Sequence, residues 1–177
     1  MNEALVSIIL AVRNGERYLD DCINSIINQS YKNWELIIIV NCSQDNTLTI
    51  ARNYQRNESR IKVLESNIGQ LNYNLNIGLG ASKGTYIARI DVDDINHSNR
   101  LAMQVPKLKE FDIIGSNVEF IDEDGNIHGN SNVPEYDKKI RRCIFYRSVI
   151  MHPTIMIKKS LLLEIGGYQG GKFSEDY

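Results

Sequence analysis

Two apolar runs constrain this chain more than anything else in it: Val6–Val12 reads VSIILAV and residues 34–40 read WELIIIV. A strand with one wet face alternates apolar and polar side chains, whereas a run without that alternation has both faces covered. Each run stops abruptly in polar residues, Arg13-Asn14-Gly15 after the first and 41–46 after the second. Between them Tyr18, Leu19, Cys22, Ile23, Ile26 and Ile27 recur at helical spacing, ending near Asn28-Gln29-Ser30. A second helix is expected over 47–56 behind Asp45 or Asn46 as its cap. A third strand is expected over 60–64. After the turn Asn67-Ile68-Gly69 comes a helix over 71–82, which offers Leu71, Leu75, Ile77 and Leu79 for packing and is closed by Gly84. A fourth strand over 85–90 stops at Asp91.

Strand followed by helix, three times before residue 95, is the pattern of an α/β, Rossmann-like fold. Its central sheet is mostly parallel, with helices on both faces. Ligands of such sheets bind beyond the carboxyl ends of the strands. That rule selects four places: 11–15, 41–45, 67–69 and 91–94. The second half is less regular. We expect a helix over 100–109 kinked or ended by Pro106, a strand over 113–121, and a turn at 122–126 that makes a small antiparallel hairpin with Ile127 onward. A strand over 149–157 and a short helix over 159–165 follow, closed by Gly166-Gly167.

The chain has 177 residues, enough for one domain with a real core, and a net charge of −2, which argues against a nucleic-acid-binding face. Its three cysteines, Cys22, Cys42 and Cys143, are odd in number and form no CxxC pair, which speaks against a disulfide framework or structural zinc and for a reducing, cytoplasmic setting. The N-terminal apolar run is too short to span a membrane and lacks the flanks of a signal peptide.

Asp91-Val92-Asp93-Asp94 carries the chemistry. Three carboxylates in four residues repel one another unless a cation or donors neutralise them. An all-oxygen cluster suits Mg²⁺ or Mn²⁺, which can bridge a diphosphate and take up charge as it leaves. A solvated acidic turn is the plain alternative. The later run Asp122-Glu123-Asp124-Gly125-Asn126 has some flavour of a calcium loop but lacks the closing acidic residue, so a hairpin turn is preferred.

At this point the sequence resembles the family 2 glycosyltransferases of the GT-A fold, among them the bacterial O-antigen, capsule and exopolysaccharide enzymes. The matching elements run through the whole chain. They are Val6-Ser7-Ile8-Ile9 with Asn14-Gly15-Glu16 and Tyr18-Leu19; Ser25-Ile26 with Asn28-Gln29-Ser30-Tyr31; Trp34-Glu35-Leu36-Ile37-Ile38; and Ser43-Gln44-Asp45-Asn46-Thr47. The segment 84–95 around Asp91-Val92-Asp93-Asp94 follows, then Arg100-Leu101 with Gln104, His152-Pro153-Thr154, Gly166-Gly167-Tyr168 and Glu175-Asp176. The ordered set is far more specific than any member of it.

The resemblance implies that a sugar moves from a nucleotide-diphosphate donor, a UDP-sugar being favoured, to an acceptor hydroxyl with inversion. Asp93 would hold the metal, Mn²⁺ or Mg²⁺, with Asp91 and Asp94 sharing the metal shell or the ribose. Asp176 would be the general base, with Glu175 as its substitute. Ala11, Asn14 and Glu16 would lie on the loop around the nucleotide, Asn41 would meet the nucleobase, and His152 would have a donor-side or a structural role. Residues 1–95 would form the nucleotide-binding half and 96–177 the beginning of an acceptor-side half that continues past Tyr177.

The acceptor would be a glycan or a lipid-linked sugar. The basic run Lys138-Lys139 with Arg141-Arg142 is read as a solvated helix face, the rival being peripheral contact with the inner face of the cytoplasmic membrane. Asn41-Cys42 replaces the usual Asp-Asp and Ala11 the usual proline, which leaves the nucleobase open. Arg13, in place of the usual tyrosine, is read as a surface arginine, and Arg100 as a structural partner of the carboxylates. Two alternatives stand beside the transferase: a non-catalytic nucleotide-binding member of the fold, and a sugar nucleotidyltransferase. The latter expects a Gly-rich basic loop where Arg13-Asn14-Gly15-Glu16 stands.

Overall fold

A computed structural model describes residues 3–144, 146 and 149–170. The first half alternates as expected: β1 (Val6–Val12), α1 (Leu19–Ile27), β2 (Trp34–Asn41), α2 (Thr47–Asn57), β3 (Ile61–Ser66), α3 (Leu71–Ala81) and β4 (Tyr86–Ile90). Then follow α4 (Arg100–Lys107), β5 (Ile113–Ile114), β6 (Glu119–Ile121), β7 (Ile127–Asn130), α5 (Asp137–Cys143), a 3₁₀ turn at His152–Thr154, β8 (Met156–Lys158) and α6 (Lys159–Glu164). The main sheet has the order β3-β2-β1-β4-β8-β5. The first four strands in that order run parallel, whereas β8 is antiparallel to both of its neighbours. β6 and β7 form a separate antiparallel hairpin.

The unbroken apolar runs now have their reason. Val6, Ile8, Leu10 and Val12 of β1, with Leu36, Ile38 and Val40 of β2, face α1, α2 and α4 through Leu19, Ile23, Ile26, Ala51 and Leu101. Ile9, Ile37 and Ile39 face the other way, toward Leu75 and Leu79 of α3 and Leu162 of α6. Alternate residues therefore serve two cores, and neither face tolerates a polar side chain at these positions.

Three expectations are corrected. The strand read over 113–121 is two strands in two sheets. Gly115-Ser116-Asn117 breaks it: the Ser116 amide donates to Thr154 Oγ1, and Asn117 Oδ1 accepts from Val133 N–H. The strand read over 149–157 survives only from Met156, because Pro153 has no N–H to give a ladder and sits in the 3₁₀ turn instead. Gly84 does not close α3, which ends at Ser82. It is small because the backbone of residues 5–7 passes over it, and its amide donates to Ser7 Oγ at 2.8 Å.

The acidic turn at 122–126 is the hairpin turn expected. Asp122 Oδ1 accepts from the Asp124 and Asn126 amides, and Gly125 takes the left-handed backbone at φ 82°. α5 buries no side chain, and its Arg141 pairs with Asp137 one turn back.

Candidate functional site

The carboxyl ends of β1, β2 and β4 meet at one edge of the sheet. The loops there are stitched across 30 positions of sequence. The Asn14 amide donates to Ser43 Oγ at 3.0 Å, and Asn14 Oδ1 accepts from the Gln44 amide at 2.8 Å. The Gly15 amide donates to Thr47 Oγ1 at 2.8 Å, and the Glu16 amide to Asp45 Oδ2 at 3.1 Å. In return Glu16 accepts from both the amide and the side chain of Asn46, which holds its carboxyl below the usual range. Ser43, Asp45 and Thr47 thus act as a clasp on the first loop, a role their polarity alone did not reveal. Asn14 and Glu16, expected to meet the nucleotide, have their side chains engaged in this clasp.

Among the described residues, Asn14 at φ 51° and Cys42 at φ 49° are the non-glycine residues held in the left-handed region. Asparagine tolerates that conformation and cysteine rarely adopts it; such residues concentrate at functional sites. Asn41, at the end of β2, is buried, and its Oδ1 has no hydrogen-bond partner among the described residues. A buried acceptor in that state is costly unless something donates to it, and a ligand is one such donor. Ala11 is half-buried at the end of β1, and Arg13 is exposed beside Gly69.

Asp91 follows the last residue of β4. Burial pushes its carboxyl up, and the Arg89 guanidinium, whose Nη2 donates to both carboxylate oxygens at 3.2 and 3.4 Å, opposes that push. Asp94 is pushed up to about 6, first by burial and then by the charges of Asp91 and Asp93. Asp93 is exposed. The Cys22 thiol, itself pushed up to about 12 by burial, donates to the Asp91 carbonyl.

The loop after the carboxylates is bolted to α1. Ser25 Oγ accepts from the Asn96 amide, Gln29 Nε2 donates to the His97 carbonyl, and Gln29 Oε1 accepts from the Leu101 amide. Arg100 is half-buried, and the desolvation of its guanidinium pushes it down to about 10. Its hydrogen bonds run to Asn96, Gln104 and the carbonyls of Arg89 and Ile155, so it latches backbone together instead of pairing directly with a carboxylate.

No three His, Cys, Asp or Glu side chains converge as a ready-made metal site among the described residues. Mg²⁺ and Mn²⁺ in nucleotide sites need only one or two carboxylates, the rest of the shell being phosphate and water. A cluster in which Asp91 and Asp93 raise Asp94 by their charge fits such a cation.

Two cavities flank the cluster. One of about 520 Å³ lies on the α1 side, between Asp93, Asp94 and Ile95, the Tyr18–Cys22 stretch, and the hairpin turn at 122–125. The other, of about 30 Å³, lies on the α3 side and is lined by Arg89, His152, Tyr168 and Leu75. Ala11, Asn14, Glu16 and Asn41 line neither; they run along the ends of β1 and β2. Sequence reasoning had given Arg89 no role, although an arginine inside an apolar strand two residues before an acidic cluster was a usable signal. Glu175 and Asp176 lie outside the described residues.

A sequence model described as Glycosyl transferase family 2 matches residues 7–166. The chain belongs to that family. It is 35% identical over 178 residues to the O-antigen biosynthesis glycosyltransferase WbnJ of Escherichia coli, covering 98% of this chain and 69% of WbnJ. Two solved structures share its GT-A fold. TarS 1–349 of S. aureus, in complex with UDP-GlcNAc, superposes with a TM-score of 0.77 at 23% identity, covering 97% of this chain and 50% of that one. The mannosyltransferase PcManGT of Pyrobaculum calidifontis, in complex with GDP-Man and Mn2+, gives 0.72 at 16% identity, covering 97% and 49%. This family 2 domain therefore spans about half the length of those two chains. Among its described residues no helix is long and apolar enough to cross a membrane.

The raised Asp94 carboxyl has a consequence for stability. Its folded value of about 6 lies above its ordinary 3.8, so between those values the folded chain keeps a proton that the unfolded chain releases. Stability therefore falls as pH rises through that window and stays reduced above it. Because Asp94 is partly solvated, the penalty is discounted to about 1 kcal/mol. In metal-free buffer at pH 7.5, Asp94→Asn should melt a few degrees above the parent, and the gain should vanish near pH 4. Equal melting of the two proteins at pH 7.5 would contradict the assignment.

Proposed function

We propose that this chain is the donor-binding core of an inverting, metal-dependent glycosyltransferase of bacterial surface-polysaccharide synthesis. Its donor would be a nucleotide-diphosphate sugar, UDP favoured, and its acceptor a glycan or lipid-linked hydroxyl. The observation that carries the reading is the convergence at one sheet edge of the Asp91-Val92-Asp93-Asp94 cluster with the clasped 13–16 and 43–47 loops and the unpartnered Asn41 acceptor. Membership of family 2 and the likeness to WbnJ support it.

Asp93, with Asp91 and Asp94 beside it, would hold a Mn²⁺ or Mg²⁺ ion, which supplies charge neutralisation at the departing diphosphate. The clasp presets the first loop, so little ordering cost falls on binding. Asn41 Oδ1 is placed to accept a hydrogen bond from an N–H of the base. Displacement with inversion needs a base on the acceptor side, the role we assign to Asp176 with Glu175 as its substitute. Residues 1–95 would bind the nucleotide, and 96–177 would belong to the acceptor side. The setting proposed is cytoplasmic, at or near the membrane where a lipid-linked acceptor resides.

Calorimetric titration of UDP, GDP, dTDP and CDP, with and without Mn²⁺, tests this. Metal-dependent binding of UDP alone or most tightly is expected. Tight binding of GDP in its place would overturn the uridine preference. A folded sample that binds none of the four would favour a non-catalytic member of the family.

A further inference from the structure

Arg89 is buried in β4, and its guanidinium faces two groups of the site at once. Nη2 donates to the Asp91 carboxylate, and Nη1 lies 2.7 Å from His152 Nδ1. A guanidinium carries hydrogens on every nitrogen and accepts none. Nδ1 of His152 must therefore be the acceptor, so its hydrogen is on Nε2 and the ring is neutral in this arrangement. The geometry is braced by backbone. The Arg89 amide donates to the Ile155 carbonyl at 3.0 Å, and Arg100 Nη2 bridges the carbonyls of Arg89 and Ile155 at 2.9 and 3.4 Å. The Gln104 side chain holds the Thr154 carbonyl at 2.8 Å. The 3₁₀ turn that carries His152 is thus pinned to β4 independently of its own side chain.

We propose that Arg89 is a positioning residue that aims the Asp91 carboxylate and holds His152 as its neutral Nε2–H form at the edge of the site. This rests on the reading of the site as a donor pocket. The fork of the guanidinium is what makes one residue sufficient. A lysine keeps the charge but has a single ammonium, which cannot hold a planar carboxylate and an imidazole nitrogen in fixed directions.

The test uses the chain with ¹⁵N-labelled histidine, at neutral pH and without nucleotide, the His152 signals being identified by their loss in His152→Gln. The parent should show one His152 species, with Nε2 protonated and Nδ1 bare. Arg89→Lys and Arg89→Met should show the Nδ1–H form appearing or the two forms averaging. A parent His152 that is protonated on Nδ1 would overturn the proposal, as would spectra unchanged in both variants. The parent spectrum decides even if Arg89→Met fails to fold. In parallel, Arg89→Lys should weaken Mn²⁺-dependent UDP-sugar binding about tenfold, as loss of a residue that orients a metal ligand does. A parent that binds no nucleotide sugar overturns the donor-pocket reading, while the nucleotide-free spectra still judge whether Arg89 locks the ring.

Discussion

Asp93→Ala should lower Mn²⁺-dependent affinity for the donor nucleotide about 100-fold, while binding measured without metal changes little. Asp93 stands exposed at the loop beyond β4, where its carboxylate reaches a cation without first breaking a protein contact. Asp91→Ala should cost about tenfold or more and should also release Arg89, so its effect is broader. Asp93→Ala should not lower the melting temperature in metal-free buffer, because it removes an exposed charge from a self-repelling cluster, whereas Asp91→Ala leaves the buried Arg89 guanidinium without its carboxylate and should lower it. Asp137→Ala is the matched control. Its carboxylate pairs with Arg141 on exposed α5, outside both cavities, and donor affinity should hold. Calorimetry with and without Mn²⁺ reads all three, and undiminished affinity in Asp93→Ala would remove the metal role from that residue.

Gly84→Ala should destabilise the fold by about 3 kcal/mol, lowering the melting midpoint by roughly 6–12 °C for a chain of this size. A methyl group at that position would sit 2.6 Å from the Ser7 amide nitrogen and 2.7 Å from the Leu5 carbonyl oxygen. Both are backbone atoms of the segment that enters β1, the strand at the centre of the parallel pairs, so no side-chain rotation relieves the clash. The contact also carries the amide of Gly84 onto Ser7 Oγ, which in turn donates to Glu35. Gly80→Ala makes the opposite case. Gly80 lies in α3, where an added methyl would meet nothing within 4 Å, and alanine there should stabilise by about 0.5–1 kcal/mol. Thermal melts of the two variants side by side check both. A Gly84→Ala protein that melts with the parent would show that the chain entering β1 can shift at little cost.

Much of this was legible in the residues before any coordinates. The four parallel strands and three helices of the first half were readable because both-face burial and helical spacing are local patterns, visible within a dozen residues. The position of the Asp91–Asp94 cluster was readable for a related reason: a strand end followed by three carboxylates is a pattern within a few neighbouring residues. The second half was less legible. Its strands are two to four residues long, too short for periodicity to declare itself, and β8 enters antiparallel between β4 and β5 through pairings far apart in sequence.

What the sequence determined by itself was the fold class, the edge of the sheet where chemistry would gather, and the family, because each follows from neighbouring residues or from their order along the chain. Only the tertiary structure decided how the site is held. Glu16 is tied to Asn46 across 30 positions, Arg89 meets His152 across 63, and Gly84 lies under a backbone 77 positions before it. Such contacts depend on which strand lies beside which, and a one-dimensional pattern carries no information about that until long-range packing has selected one arrangement.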